Sequence, residues 1–409
     1  MTSELLHTAW LVGTSHPRAH ECVASAIVDA VDPKQVAAVG KGLDGAFARA
    51  ADETETYDPE RDRIIVFSDH HRGRGDKADD FRTNVHAYTA ALGYYLEQDY
   101  RLFLLGDGEE LWEERPGDVL GQYKDVLALE AEFRKESPSR LERFWGNHDD
   151  LWGAPDAVTK FLEPEVAGPM TVREGLRMKV RRPERDDVTL FFVHGHQGTA
   201  ESDRFGKLSR WPVRYIWRPI QRLTGYSATT PASRHNLREP HDRAMFEWAV
   251  RRGPGLILIA GHTHRPVFAS SIPDPPPTRP IAELQNALET ARAMNDVEAA
   301  SAVRAELEYA KTAERRKVES ITSQPPCYFN TGCCSYPDGD VTGLELADGE
   351  IRLVRWPANL KDLRADLTTG VQPECRVMAR ADLYGILDAV DTRSQAPQFE
   401  THLVGAANE

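Results

Sequence analysis

Five short polar clusters follow strand-like runs in this 409-residue chain. They are SDHH after Ile64–Phe67, GDGEE after Leu102–Leu105, GNHDD after Leu141–Trp145, HGH after Leu190–Val193 and GHTH after Leu256–Ala260. Together they supply Asp69-x-His71, Asp107-x-x-Glu110, Asn147-His148-Asp149, His194-x-His196 and His262-x-His264. Carboxylate, amide and imidazole in one set suit Mn, Fe or Zn, whereas Ca and Mg prefer oxygen alone. A single Asp-x-His or His-x-His is more often an ordinary surface or core pair than a ligand set. Five clusters, each directly after a strand, are much harder to reach by chance. Cations held by such a set would outweigh its few carboxylates, and the excess positive charge favours bound anions.

The elements that must position these residues can be read from the same pattern. Short apolar runs without alternation suit strands buried on both faces. Helical patterns such as Asp79–Gln98 and Ala154–Leu162 lie between them, which makes an α/β layout. Ligands then fall where such sheets bind them, just beyond the strands' C-terminal ends. Residues 1–60 read as an Ala-rich helical extension ending in the polar stretch ADETETYDPERD, and residues 61–272 as the core, with a cap-like insert at 198–245. A proline linker, PDPPPTRP, opens a 273–320 segment that reads as a helical hairpin arm with Asn295-Asp296 as its turn. Residues 321–356 return to sheet, through Cys327–Asn330 and a hairpin over 341–356 that turns at Asp348-Gly349. The tail, 357–409, reads as partly helical with a loose end.

The ordered blocks D-x-H, G-D-x-x-[DE], G-N-H-[DE], H and G-H-x-H resemble the calcineurin-like metallophosphoesterase superfamily, over about residues 63–270. The resemblance implies a four-layer α/β/β/α sandwich carrying two divalent metals, Mn first, with Fe or Zn as alternatives. By position it assigns Asp69, His71, Asp107 and His264 to one metal. It assigns Asp107 (bridging), Asn147, His194 and His262 to the other. It further implies that His148 acts at the leaving-group oxygen as general acid or charge stabiliser, and that Glu110 orients it. Asp149 is the competing partner for His148. Ser68 and His196 are expected to orient ligands from behind.

Two departures bear on substrate. The phosphoprotein phosphatases of this superfamily carry G-D-x-V-D-R-G, whereas here the stretch is GDGEELW, without that arginine. The G-D-x-x-E-x-W stretch and GHTHRP are locally closer to the UDP-2,3-diacylglucosamine pyrophosphohydrolase branch. Specificity is expected from the insert, where Arg210, Arg214, Arg218 and Arg222 recur every four residues among Trp211, Tyr215 and Trp217. Such arginines repel one another unless an anion lies against them. They would clamp a second phosphate, a nucleotide or an anionic lipid head group, with peripheral membrane contact through the same Arg/Trp face; the rival reading pairs them with the protein's own carboxylates. Arg72 and Arg74, just past the first cluster, are further phosphate-clamp candidates, while His235 and His241 in the insert could reach substrate.

Composition sets the outer bounds. A formal net charge of −14 argues against nucleic acid as a partner. Five cysteines without zinc-finger spacing point to a reducing, cytoplasmic setting, and Cys327, Cys333 and Cys334 read as small buried residues. The expectation is therefore a dinuclear metal-dependent phosphoesterase acting on a small or lipid-linked phosphodiester or pyrophosphate. A phosphomonoesterase or a cyclic-nucleotide or nucleic-acid phosphodiesterase is the runner-up. A non-catalytic metal-binding scaffold working through the 281–320 arm is the rival of another class.

Overall fold

A computed structural model describes residues 33–50, 54–166, 168–182, 185, 187–198, 235–270, 281–294, 303, 307, 326–358 and 375–391. The insert arginines Arg210, Arg214 and Arg218 lie outside these residues, as do Cys22 and most of the arm beyond its first helix. The fold is mixed α/β, with two multi-stranded sheets and helices packed on them, consistent with an α/β sandwich.

One sheet has seven strands in the spatial order β13 (Arg376–Asp382), β12 (Glu350–Trp356), β11 (Val341–Ala347), β2 (Ile64–Phe67), β3 (Arg101–Leu105), β4 (Leu141–Phe144) and β5 (Val172–Arg173). Its β2, β3, β4 and β5 run parallel, while β11 lies antiparallel to β2. The other has six: β1 (Thr54–Tyr57), β6 (Gly175–Val180), β7 (Val188–Val193), β8 (Leu256–Ala260), β10 (Tyr328–Thr331) and β9 (Pro266–Val267). There β7, β8 and β10 are parallel. All five runs that precede the polar clusters are thus strands of parallel sets, three in one sheet and two in the other.

Burial explains why those runs lack alternation. Ile64 and Val66 share a core cluster with Leu190 and Phe192 of the other sheet, and Phe103 meets Phe192 edge-on at 5.1 Å between ring centroids. Ile65 and Phe67 face the opposite way, with Tyr88 and Tyr95 of helix α2 (Val85–Glu97) 5.4 and 6.0 Å from the Phe67 ring. Phe191 likewise turns from Phe192 toward Phe47 of helix α1 (Pro33–Arg49) at 5.1 Å and Trp248 of helix α5 (His235–Arg252) at 5.8 Å. Both faces of each central strand are therefore apolar, and truncating one such ring, Phe103→Ala, would cost about 3–5 kcal/mol. Helices α3 (Pro116–Gln122) and α4 (Lys124–Glu132) follow β3, with Val126 and Leu127 of α4 in the same cluster as Phe67.

The elements differ from expectation in three places. The polar stretch after α1 contains β1, whose TETY pairs with β6 at the edge of its sheet. The segment read as one helix over 79–98 begins with a separate turn, Asp80–Thr83, capped by Asp79, and α2 starts only after Asn84. Asn84 spends its amide on Tyr336 O and Asp340 O, a tertiary tie that local spacing does not signal. The tail contributes a strand, β13, before its helix α7 (Leu383–Asp391). The hairpin turn sits where Asp348-Gly349 places it, with φ of 55° and 72°, and the arm opens with helix α6 (Ile281–Ala293). Among the described residues no helix is long and apolar enough to cross a membrane.

Candidate metal centre

The loops after β2 and β3 continue to pair beyond the strands. Asp69 N donates to Gly106 O (3.1 Å), His71 N to Asp107 O (3.0 Å), Arg72 N to Gly108 O (3.1 Å), and Glu110 N back to Arg72 O (2.9 Å). This zipper holds Asp69 and His71 beside Asp107. The turns are sharp: Asp69, His71, Asp107, His262 and His264 all have φ between 51° and 68°. Left-handed backbone in non-glycine residues is sparse and gathers at functional sites, where surrounding structure enforces it. Gly106, at φ 85°, leaves room that a Cβ would take, since that atom would lie 2.6 Å from His194 Nδ1.

Six of the seven predicted ligands, Asp69, His71, Asp107, His194, His262 and His264, fall into adjoining donor groups. His71 Nε2 and His264 Nε2 are 3.1 Å apart, with Asp69 Oδ1 3.1 Å from His264 Nε2 and 3.9 Å from His71 Nε2. On the other side Asp107 Oδ2 lies 3.0 Å from His194 Nε2 and 3.8 Å from His71 Nε2. His262 joins Asp107 and His194 in a second donor group, its ring 5.2 Å from that of His194. Asn147 is buried, and among the described residues neither its Oδ1 nor its Nδ2 has a hydrogen-bond partner.

These atoms fit cations better than they fit one another. Asp69 Oδ2 is occupied by Ser68 Oγ and by His262 N (2.9 Å), while Oδ1 has no hydrogen bond among the described residues. Asp107 Oδ1 accepts from His148 N (2.8 Å), which leaves Oδ2 toward the imidazoles. His71 Nδ1 faces Glu110 Oε2 (3.2 Å) and His194 Nδ1 faces Leu105 O (2.8 Å). With Nδ1 protonated toward those acceptors, each ring would offer Nε2 inward once that nitrogen has lost its own proton. His194 Nε2 and Asp107 Oδ2 are close without hydrogen-bond alignment. Ligand bonds of about 2.0–2.2 Å at roughly right angles would put neighbouring donor atoms about 3 Å apart, as found here.

Electrostatics agree. Burial alone would lower the His194 imidazole, yet Asp107 and Asp69 carry it up to about 9. Burial alone would raise Glu110, but His148 and His71 bring it down to about 2, so it stays ionised. His148 Nδ1 sits 2.7 Å from Glu110 Oε2, and its ring stacks on Trp112 with centroids 4.4 Å apart. Its side chain is 19% exposed, so one face remains open. Glu110 Oε2 therefore faces both rings, that of His148, the partner the resemblance implied, and that of His71, which it did not name. Asp149 does not compete for His148: its carboxylate accepts from the backbone N–H of Asp107, Gly108 and Gly146 (3.2, 2.8 and 2.6 Å) and clamps two motif loops together.

Arg72 is corrected. It is 1% exposed, and its guanidinium is taken by Glu130 and Glu109 in a network that includes Arg143, Tyr88 and Trp152. The phosphate-clamp expectation needed an open guanidinium, but the zipper turns this one inward, so it clamps no phosphate. Arg74 remains at the surface, 42% exposed and 3.6 Å from Glu114. His196 is buried with its ring 5.4 Å from that of His194, and burial holds it down to about 3. His241 faces Gly195 O through Nε2 (2.7 Å), and the side chain of His235 is outside the described residues. Cys327, Cys333 and Cys334 are buried.

Sequence reasoning missed the fastening of the GHTH turn. Thr263 Oγ1 and Tyr328 OH both donate to Asp242 Oδ1 (2.9 and 2.7 Å), and Asn330 Nδ2 donates to Gly261 O (2.6 Å). Asp242 comes from α5 and Tyr328 from β10, so only the fold brings them together; Asn330 in NTG was the one local hint. His70, between Asp69 and His71, packs its ring against Tyr88 and Phe81 at 4.6 and 5.4 Å. No model of a known protein family matches the chain, and no curated protein matches it significantly.

Proposed function

We propose that this protein is a dinuclear metal-dependent phosphoesterase of the calcineurin-like metallophosphoesterase kind. The observation that carries the reading is a single oxygen, Asp107 Oδ2, facing His194 Nε2 at 3.0 Å and His71 Nε2 at 3.8 Å, where a bridging ligand must stand. Asp69, His71, Asp107 and His264 would hold one cation, and Asp107, Asn147, His194 and His262 the other. When bound, the pair supplies Lewis acidity that acidifies water and offsets phosphoryl charge, with Mn the first choice for this mixed donor set. The helices outside each sheet fit the four-layer α/β/β/α order of such enzymes.

The chain's own residues supply the rest. Asp107 and Asp69 leave the cluster short of negative charge, which favours an anionic substrate. His148, beside Glu110 and stacked on Trp112, is a preorganised proton donor for the leaving oxygen, with the ionised Glu110 carboxylate facing its Nδ1. Buried donors fixed by backbone turns need little reorganisation as charge develops. The substrate class is a phosphodiester or pyrophosphate, small or lipid-linked. The test is turnover of bis-p-nitrophenyl phosphate beside p-nitrophenyl phosphate with Mn. Faster diester cleavage, with two cations bound per chain, supports the reading. Faster monoester cleavage would move it to a phosphomonoesterase. Two bound cations without turnover of either would favour the scaffold, and no bound cation at all would end the proposal.

A further inference from the structure

Helix α1 carries Gly40, Gly42 and Gly45 in its interior, each costing about 1 kcal/mol of helix propensity against alanine, so something must require them. Its apolar face is clear: Val39, Leu43, Ala46 and Phe47 are buried, with Phe47 on Phe191 and Trp248. Gly42 lies just off that face. A Cβ there would come 2.8 Å from Gln197 Cβ and 2.9 Å from Gly198 N, atoms of the loop that follows His194 and His196. Gly198, at φ 76°, meets the backbone of Ala38 and Val39 in return. At the helix C-terminus Arg49 binds Glu174 (2.5 and 2.7 Å), and Gln197 Nε2 reaches the same carboxylate at 3.5 Å.

One close backbone approach and a tie shared through Glu174 thus join α1 to the segment 194–198, and glycine on both sides lets the two backbones touch. That segment sets the position of His194, whose carbonyl also receives Gly261 N (2.9 Å) from the GHTH turn. We infer that α1 is a positioning element of the metal centre, with Gly42 and Gly198 as the seam that fixes the His194 loop. The inference rests on the two-cation reading for its consequence, but the seam itself is a statement about the loop. Side chains behind a metal ligand commonly govern affinity by about 10–100-fold.

Gly42→Val tests it, with Ala37→Val on the exposed face of α1 as a control and Gly42→Ala as a gentler variant in case valine prevents folding. Hydrogen–deuterium exchange of the cation-free protein reads the seam directly. Gly42 variants should speed exchange about tenfold in peptides covering 193–198, with 64–72 unchanged, as a local opening would do. Calorimetry with Mn reads the consequence: one of two cations should bind about tenfold more weakly, and the other as before. Ala37→Val should change neither. Equal acceleration across the whole fold, or unchanged exchange at 193–198, overturns the inference. If the wild type binds no cation, the proposed function fails while the exchange result still decides the seam.

Discussion

Two buried concentrations of charge lie almost side by side in this protein, and they are built on opposite principles. In the network of Arg72, Arg143, Glu109 and Glu130, opposite charges answer each other: Arg143 takes both oxygens of Glu109 (2.8 and 2.7 Å), and Tyr88 and Trp152 complete the carboxylates. Around Asp107 the pairs His194–Asp107 and His264–Asp69 approach to 3.0 and 3.1 Å without hydrogen-bond alignment. Asp69 Oδ1, Asn147 and His194 Nε2 lack hydrogen bonds among the described residues. Buried polar atoms left in that state cost free energy, which a bound cation would offset. The contrast separates a structural cluster from a candidate binding one even though residues 69–72 and 107–110 feed both.

Four outcomes would break or sharpen this contrast. Asp107→Asn should remove both cations, and turnover should fall on the order of a thousandfold or more, because one oxygen serves two sites. Metal analysis and steady-state rates read it, and an active variant with both ions bound would undo the assignment. Glu130→Gln should do the reverse. It leaves two buried guanidinium groups with Glu109 as their one anionic partner in the network, costing about 3 kcal/mol in denaturant unfolding, while two cations still bind. A lost cation there would merge the two clusters into one. His148→Ala should retain both ions and lose about a hundredfold in rate on an alkyl ester, less on a p-nitrophenyl ester whose leaving group needs no proton. Equal losses on both would remove its acid role.

The smallest effect is a proton. His194, raised from 6.5 to about 9 in the cation-free fold, must give up its proton to become a ligand. Loading at pH 8 should release close to one proton into weak buffer, and loading well above pH 9 should release none from this group. A raised histidine stabilises the cation-free fold below pH 6.5, and that contribution fades as pH climbs through 9. Apparent affinity for Mn should therefore rise over the same interval. A flat titration would mean that His194 Nε2 carries no proton there to lose.

How legible all this was depends on range. The five strands before the clusters show in the sequence because burial on both faces demands uninterrupted apolar residues. The candidate donor set shows because each cluster sits directly after its strand. Strand β1 does not, since an edge strand of TETY needs no apolar run, and RVMARAD of β13 is half-exposed at another edge. Arg72 misled because its burial is decided by Glu130, far along the chain. Asp242 gave no sign at all: its partner Tyr328 lies across the sheet, where no spacing rule reaches.

The split of the donors between sheets has a mechanical corollary. Asp69 and His71 hang from one sheet and His264 from the other; Asp107 and Asn147 from the first, His194 and His262 from the second. Each ion would then act as a rivet through both plates. Shearing the layers would tear it from its seat, so occupancy should slow the rate at which the sandwich comes apart as well as deepen its stability.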